Sequence, residues 1–322
     1  MWIHQDETQK RESQEMTIER DVIFVSGSLH LAGTLLLPAS DGQWPAVLLI
    51  PGSGQVDRNE NATKLHINAF RDIAAHLSEQ GIATLRYDKR GVGASEGNFW
   101  ETGLFDNVTD AGAALGCLKS QREIRSDKVF LLGHSEGAIT TTRLAAAGAD
   151  VAGVILLAGP ARKGEDVLLW QCEQVVKGIR GFNKWLIKLF HIDVRKAQQK
   201  QLDKIKKSTK NSYRVRWIVK LNAKWFREFV AYNPAEDLPK IQVPVLALTG
   251  SKDIQVNPAD LNQMAGLVKA GFESHILPNI THILRAELGE PTLSTYKQQV
   301  AKPVDKIVLQ TISEWLRKKA SA

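Results

Sequence analysis

Lys128-Val129-Phe130-Leu131-Leu132-Gly133-His134-Ser135-Glu136-Gly137-Ala138 joins four consecutive apolar residues to a glycine-flanked serine, and an alanine-rich run continues to Ala147. The apolar residues read as a short buried strand and the residues after Gly137 as a helix, so Ser135 falls on the corner between them. Gly-x-Ser-x-Gly at such a corner is the nucleophile-elbow pattern. A sharp, strained turn lifts the serine hydroxyl out of the sheet, and glycine two positions to either side lets strand and helix pass closely. The helix also aims its first amides at the place where negative charge would develop on a substrate oxygen.

The chain upstream supports that corner. Ile18 to Val25 and Leu29 to Leu37 are apolar, β-branched runs separated by Ser26-Gly27-Ser28, a hairpin signal. Ala46 to Ile50 is a near-continuous apolar strand of the kind buried in a parallel sheet. Asn68 to Glu79 is a helix with Phe70, Ile73, Ala74 and Leu77 on one face, closed by Gly81. The strand Ile82 to Tyr87, a helix over Phe105 to Gln121, the elbow strand and the strand Val151 to Ala158 follow. This alternation predicts an α/β protein with a mostly parallel central sheet and helices on both faces. From 159 to 240 strands disappear from the pattern, and amphipathic helices are expected at Asp166 to Lys177, Asn183 to Phe190, Val194 to Ser208 and Arg214 to Val230. The α/β rhythm resumes with Val243 to Thr249, a helix over Ala259 to Lys269 and the strand Ser274 to Leu277. A last helix runs from Pro303 to Lys319.

The elbow in this setting resembles that of the α/β-hydrolase superfamily, over roughly Ile18 to Leu316. The resemblance implies a single hydrolase core at 18–158 and 241–322, an all-helical lid insertion at 159–240 and a polar leader at 1–17. It also implies a serine hydrolase whose triad follows in the order Ser, acid, His. Of the eight histidines, His4 and His30 precede the elbow, as do His66 and His76 near the first helix. His134 belongs to the elbow, His191 lies in the insertion, and His275 sits within a strand where alternate residues point into packing. His282, in the loop Pro278 to His282 beyond the last strand's carboxyl end, is the expected general base. Asp253 is the expected acid, in the turn Thr249-Gly250-Ser251-Lys252-Asp253. Asp260, inside the next helix, and Asp237, near the edge of the insertion, are the alternatives.

One oxyanion-hole amide should be that of Glu136. The other should come from the loop Pro51-Gly52-Ser53-Gly54-Gln55-Val56-Asp57-Arg58-Asn59, where the family's His-Gly-x loop maps the donor onto Ser53, with Gly54 next in order. Pro51 stands where the family often has histidine. The Gly-Ser-Gly-x-x-Asp-Arg run resembles bacterial carboxylesterases and serine-peptidase-like hydrolases. It leaves Arg58 with two readings, a ligand for a substrate carboxylate or a salt bridge to Asp57 or Asp88. The loop Asp88 to Ser95 resembles the family's Asp-x-Arg-Gly-x-Gly-x-Ser segment and reads as a structural turn; its spacing fits neither a P-loop nor a dinucleotide fingerprint.

With 322 residues, 43% of them hydrophobic, the chain can build one large domain with an insertion. No run approaches the roughly 18 apolar residues of a membrane span. The polar start Met1 to Glu15 lacks the apolar core of a signal peptide, which predicts a cytoplasmic protein. Cys117 and Cys172 read as apolar fillers, and no cofactor or metal ligand set is expected. The net charge of +7 is concentrated in the insertion, where Ala161 to Lys220 holds 16 Lys or Arg against 5 Asp or Glu. Trp170, Trp185, Trp217 and Trp225 lie in or beside it, with Phe182, Phe190, Phe226 and Phe229. Such helices suit a lid with an apolar underside and a solvated basic exterior; they also suit an anionic membrane surface or acidic substrates. No nucleic-acid module accompanies the charge. The expected partner is a small acyl ester and the expected activity that of a carboxylesterase. A peptidase, thioesterase or acyltransferase using the same triad, or a noncatalytic binding member of the fold, are the alternatives.

Overall fold

The structure is a computed structural model that describes residues 17–178, 193–215 and 219–321. An eight-stranded sheet runs through it in the order β1-β2-β6-β3-β7-β8-β11-β12. The first hairpin is β1 (Ile18–Ser26) against β2 (Leu29–Leu37), and β2 pairs antiparallel with β6 (Ala83–Tyr87). From β6 onward every pairing is parallel, through β3 (Trp44–Ile50), β7 (Ile124–His134), β8 (Gly153–Leu157), β11 (Val245–Gly250) and β12 (Phe272–Leu277).

The central strands are apolar because both their faces are covered. Leu48, Leu131, Val154 and Ala247 pack toward one layer, while Val47, Leu49, Phe130 and Ile155 pack toward the other. The first layer is filled by α2 (Leu104–Lys119) and α3 (Glu136–Ala146), the second by α1 (Ala69–Glu79) and α9 (Lys306–Ser321). Gly81, at φ 73°, ends α1 in the left-handed conformation expected of it. A two-residue ribbon, β4 (Asn61–Ala62) with β5 (Leu65–His66), stands between β3 and α1.

Between β8 and β11 lie α4 (Gly164–Lys177), α5 (Val194–Lys206) and α6 (Ala223–Ala231). They enclose a satellite core that includes Val167, Leu169, Leu202, Ile205 and Phe229. The insertion is not all-helical. The expected helix over Arg214 to Val230 is replaced in its first half by an antiparallel ribbon, β9 (Ser212–Val215) against β10 (Val219–Asn222). The reason is local: Tyr213, Val215, Val219 and Leu221 alternate with polar residues, a period-2 pattern that suits a ribbon. Asn222 then starts α6 as its N-cap, its side chain accepting from the Trp225 amide at 3.0 Å. The expected helix Asn183 to Phe190 lies outside the described residues, as do His4, His191, Trp185 and Trp217.

The remaining elements are α7 (Asp260–Leu267) after β11 and the short α8 (Tyr296–Gln299) before α9. Asp237, one alternative for the acid, instead ties the chain leaving the insertion to α3. Its carboxylate accepts from Arg143, Lys240 and the Tyr232 hydroxyl. Burial raises its pKa, but those three partners outweigh it and hold the group below the usual carboxylate range. A carboxyl depressed by folding stabilises above its unfolded pKa and loses that contribution as pH falls through the folded value. Asp237→Asn is therefore expected to cost about 1–3 kcal/mol at pH 7. Its melting temperature should converge on that of wild type as the pH is taken below 4; a gap independent of pH would refute this.

Candidate active site

The elbow stores visible strain. Ser135 sits at φ 56° and ψ −115°, a conformation side-chain-bearing residues rarely adopt, and its N–H is fixed on the carbonyl of Leu157 at 2.8 Å. A Cβ on Gly133 would stand 2.0 Å from the Gly137 oxygen, and one on Gly137 would stand 1.9 Å from the Ile50 oxygen. Both flanking glycines are thus demanded by backbone passing backbone.

The turn brings Ser135 to residues from two other strand ends. Ser135 Oγ is 3.1 Å from His282 Nε2, and His282 Nδ1 is 2.8 Å from Asp253 Oδ2. The second oxygen of Asp253 accepts from the amides of Gln255, at 2.7 Å, and Val256, at 2.9 Å. Thr281 anchors the loop bearing His282, its hydroxyl donating to Gln299 at 2.8 Å, and Ile280 bridges to Ala286. The arrangement suits proton transfer from a serine hydroxyl to an imidazole whose tautomer a buried carboxylate holds. Asp260 lies apart from it, accepting from the Ala161 amide and paired with Arg162. His275 is not packed inward, because β12 is the sheet's edge strand; it sits half-exposed beside Glu273.

Ser135, Ser53 and Glu136 share a cavity of about 50 Å³ with Ile139, Val167, Trp225, Phe229, Gln171 and Gln255 among its other lining residues. The Gly52 amide is taken by Glu60 at 2.8 Å, whereas the Ser53 amide has no acceptor among the described residues. The Glu136 carboxylate does not face the cavity as a free charge. It accepts from Lys89 at 3.1 Å, Asn107 at 2.7 Å and the Trp225 indole at 3.0 Å. Trp225 stacks on Phe229 with ring centroids 4.7 Å apart, so α6 presents an aromatic underside to the elbow.

Arg58 takes the salt-bridge reading, and the substrate-carboxylate reading is corrected. Its guanidinium is spent on Asp88, at 3.1 and 2.7 Å, and on Asp21 and Thr34, and it does not line the Ser135 cavity. The loop after β6 is a turn tightened by Asp88, which accepts from the Ala94 amide. Lys89, Glu60 and His134 form close contacts around the site that the sequence reading did not assign. Their one visible signal was charge and imidazole placed beside the glycines of the two site loops. Among the described residues no group of three His, Cys, Asp or Glu is placed to hold a metal, and no helix is long and apolar enough to cross a membrane.

A family model described as "Serine aminopeptidase, S33" matches residues 63–289. Esterase EstD of Thermotoga maritima is 28% identical over 306 residues, covering 94% of this chain and 68% of that protein. Among solved structures, the α/β hydrolase GrgF from Penicillium sp. sh18 superposes with a TM-score of 0.62 at 17% identity, covering 95% of this chain and 100% of its own. Est1E from Butyrivibrio proteoclasticus, bound to ferulic acid, gives 0.63 at 17% identity over 94% and 100%. At those identities the structural likeness is one of fold.

Proposed function

The chain belongs to the serine aminopeptidase S33 family of α/β hydrolases, and from that premise we propose that this serine hydrolase is a carboxylesterase for short to medium acyl esters. The observation that carries the proposal is the hydrogen-bonded relay from Ser135 through His282 to Asp253, beside a cavity that Ser53 and Glu136 help to line. His282 takes the Ser135 proton as Oγ attacks the ester carbonyl. The two amides stabilise the oxyanion, and the alcohol leaves with the proton returned by His282. Water, deprotonated by the same imidazole, then releases the acid and restores Ser135. Asp253 holds the Nδ1–H tautomer throughout. The chemistry runs on side chains and water.

Two features favour an ester over a peptide N-terminus. An aminopeptidase must neutralise a substrate ammonium, and the one carboxylate lining the cavity among the described residues, Glu136, is already paired with Lys89. The rest of the described wall is uncharged, combining Ile139, Val167 and Phe229 with Gln171 and Gln255, and the EstD relative is named an esterase. In this reading residues 159–240 form a lid over a core of 18–158 and 241–322, with Trp225 and Phe229 on its underside. Acyl chains that exceed the cavity, which is far below the roughly 300 Å³ of an ordinary ligand pocket, require the lid to move.

Initial rates on p-nitrophenyl esters from acetate to palmitate should peak at short to medium chains and exceed those on aminoacyl arylamides and acyl thioesters by at least about 100-fold, the scale of a strong pocket preference. A preference for arylamides would return the protein to the peptidase reading.

A further inference from the structure

Gly52 is gripped from both sides by buried charge. Its N–H donates to Glu60 Oε1 at 2.8 Å, and its carbonyl accepts from Lys89 Nζ at 3.1 Å. That carbonyl belongs to the same peptide unit as the Ser53 N–H. No cis peptide bond is present among the described residues, so the two point in opposite directions. Holding the Gly52 oxygen on Lys89 therefore turns the Ser53 N–H the other way, and Ser53 lines the cavity it shares with Ser135.

Each gripping group is the half of a buried ion pair that reaches a second part of the site. Lys89 pairs with Glu136, the residue after the nucleophile; their side chains are 4% and 2% exposed. Glu60 pairs with His134, the residue before the nucleophile, at 2.9 and 3.0 Å, with side chains 2% and 4% exposed. The other nitrogen of His134 lies 2.9 Å from the backbone carbonyl of His282, and the two imidazole rings are 5.0 Å apart. Both nitrogens of His134 thus face acceptors, and only the imidazolium can donate to both. Glu60 itself is held at φ 63°, a left-handed conformation that costs a glutamate energy and is maintained by its surroundings.

We propose that Glu60, His134 and Lys89 are positioning residues: Glu60 and Lys89 fix the Gly52 loop so that the Ser53 N–H faces Ser135, and His134 carries the same constraint to the backbone of His282. The proposal rests on the triad reading above. Four groups of alternating sign form one neutral cluster, so the oxyanion loop, the elbow and the base are set in register by a single unit. Burial pushes His134 down, but the charge and hydrogen bond of Glu60 outweigh it and, with the His282 carbonyl and Asp253, hold its pKa above the ordinary histidine value. In Glu60→Gln the oxygen for Gly52 remains while the charge that holds the second proton on His134 is lost. In Lys89→Met the stem remains and the grip on the Gly52 carbonyl is lost.

The test is the rate at which a fluorophosphonate probe labels Ser135 in the full-length protein. It requires no knowledge of the substrate and separates the bound-state rate constant, kinact, from the affinity, KI. Both variants should label to full stoichiometry with KI within a factor of about 2, and with kinact lowered between about 10- and 100-fold, the scale of a misplaced site. Unchanged kinact in either folded variant overturns the proposal and leaves the triad reading standing. Reduced labelling stoichiometry with wild-type kinact in the labelled fraction also overturns it, by assigning the cluster to folding alone. Failure of the wild-type protein to label at Ser135 overturns the triad reading and this proposal with it.

Discussion

Ser135→Ala is expected to lower kcat for a hydrolysed p-nitrophenyl ester by about 10⁶-fold, the scale seen when a triad nucleophile is removed. The fold should not change. Alanine carries the same Cβ as serine, so it meets the strained backbone at φ 56° on equal terms, and the amide bond to Leu157 does not involve the side chain. What disappears is the hydroxyl oxygen that lies 3.1 Å from His282 Nε2. The cavity wall and the amides of Ser53 and Glu136 remain, so the variant should still bind substrate with nearly the wild-type affinity. A kcat within tenfold of wild type, with a matching melting temperature, would remove Ser135 from the chemistry.

Asp253→Asn should reduce kcat by about 10⁴-fold, and the expected cause is tautomeric. One oxygen of Asp253 accepts from two backbone amides, of Gln255 and Val256, while the other faces His282 Nδ1 at 2.8 Å. An asparagine satisfies the two amides only with its own oxygen. Its NH₂ must then face Nδ1, which can accept that hydrogen bond only when unprotonated. The ring proton moves to Nε2, where it confronts Ser135 and cannot receive the serine proton. Because every backbone partner keeps an acceptor, the protein should stay folded and its melting temperature should change little. A loss of less than tenfold would move the orienting role to another carboxylate.

The elbow was legible because burial on both faces turns a parallel strand into an unbroken apolar run, as at Val129 to Leu132 and Ala46 to Ile50. Ser135, Asp253 and His282 were legible for a related reason. Each follows a readable strand at its carboxyl end, and the structure brings those three loops together. The ribbon Ser212–Val215 with Val219–Asn222 was not, since four-residue strands next to an amphipathic helix of strong 3.6 periodicity are absorbed into the helix pattern. Arg58 could be assigned only when Asp21 and Thr34, on the first hairpin, were seen to complete its partners alongside Asp88. The Glu60 and His134 pair joins residues 74 positions apart and has no periodic signature. In the sequence His134 is the x position of the elbow, and only the fold places its two nitrogens against Glu60 and the His282 carbonyl.

Pre-steady-state mixing of the protein with excess p-nitrophenyl acetate decides whether an acyl-enzyme forms on Ser135. The expected result is a burst of p-nitrophenolate equal to the enzyme concentration, with acid quench placing one acetyl group on the peptide that contains Ser135 and no burst from Ser135→Ala. A burst that survives Ser135→Ala, or an acetyl group found on another residue during full turnover, would contradict it.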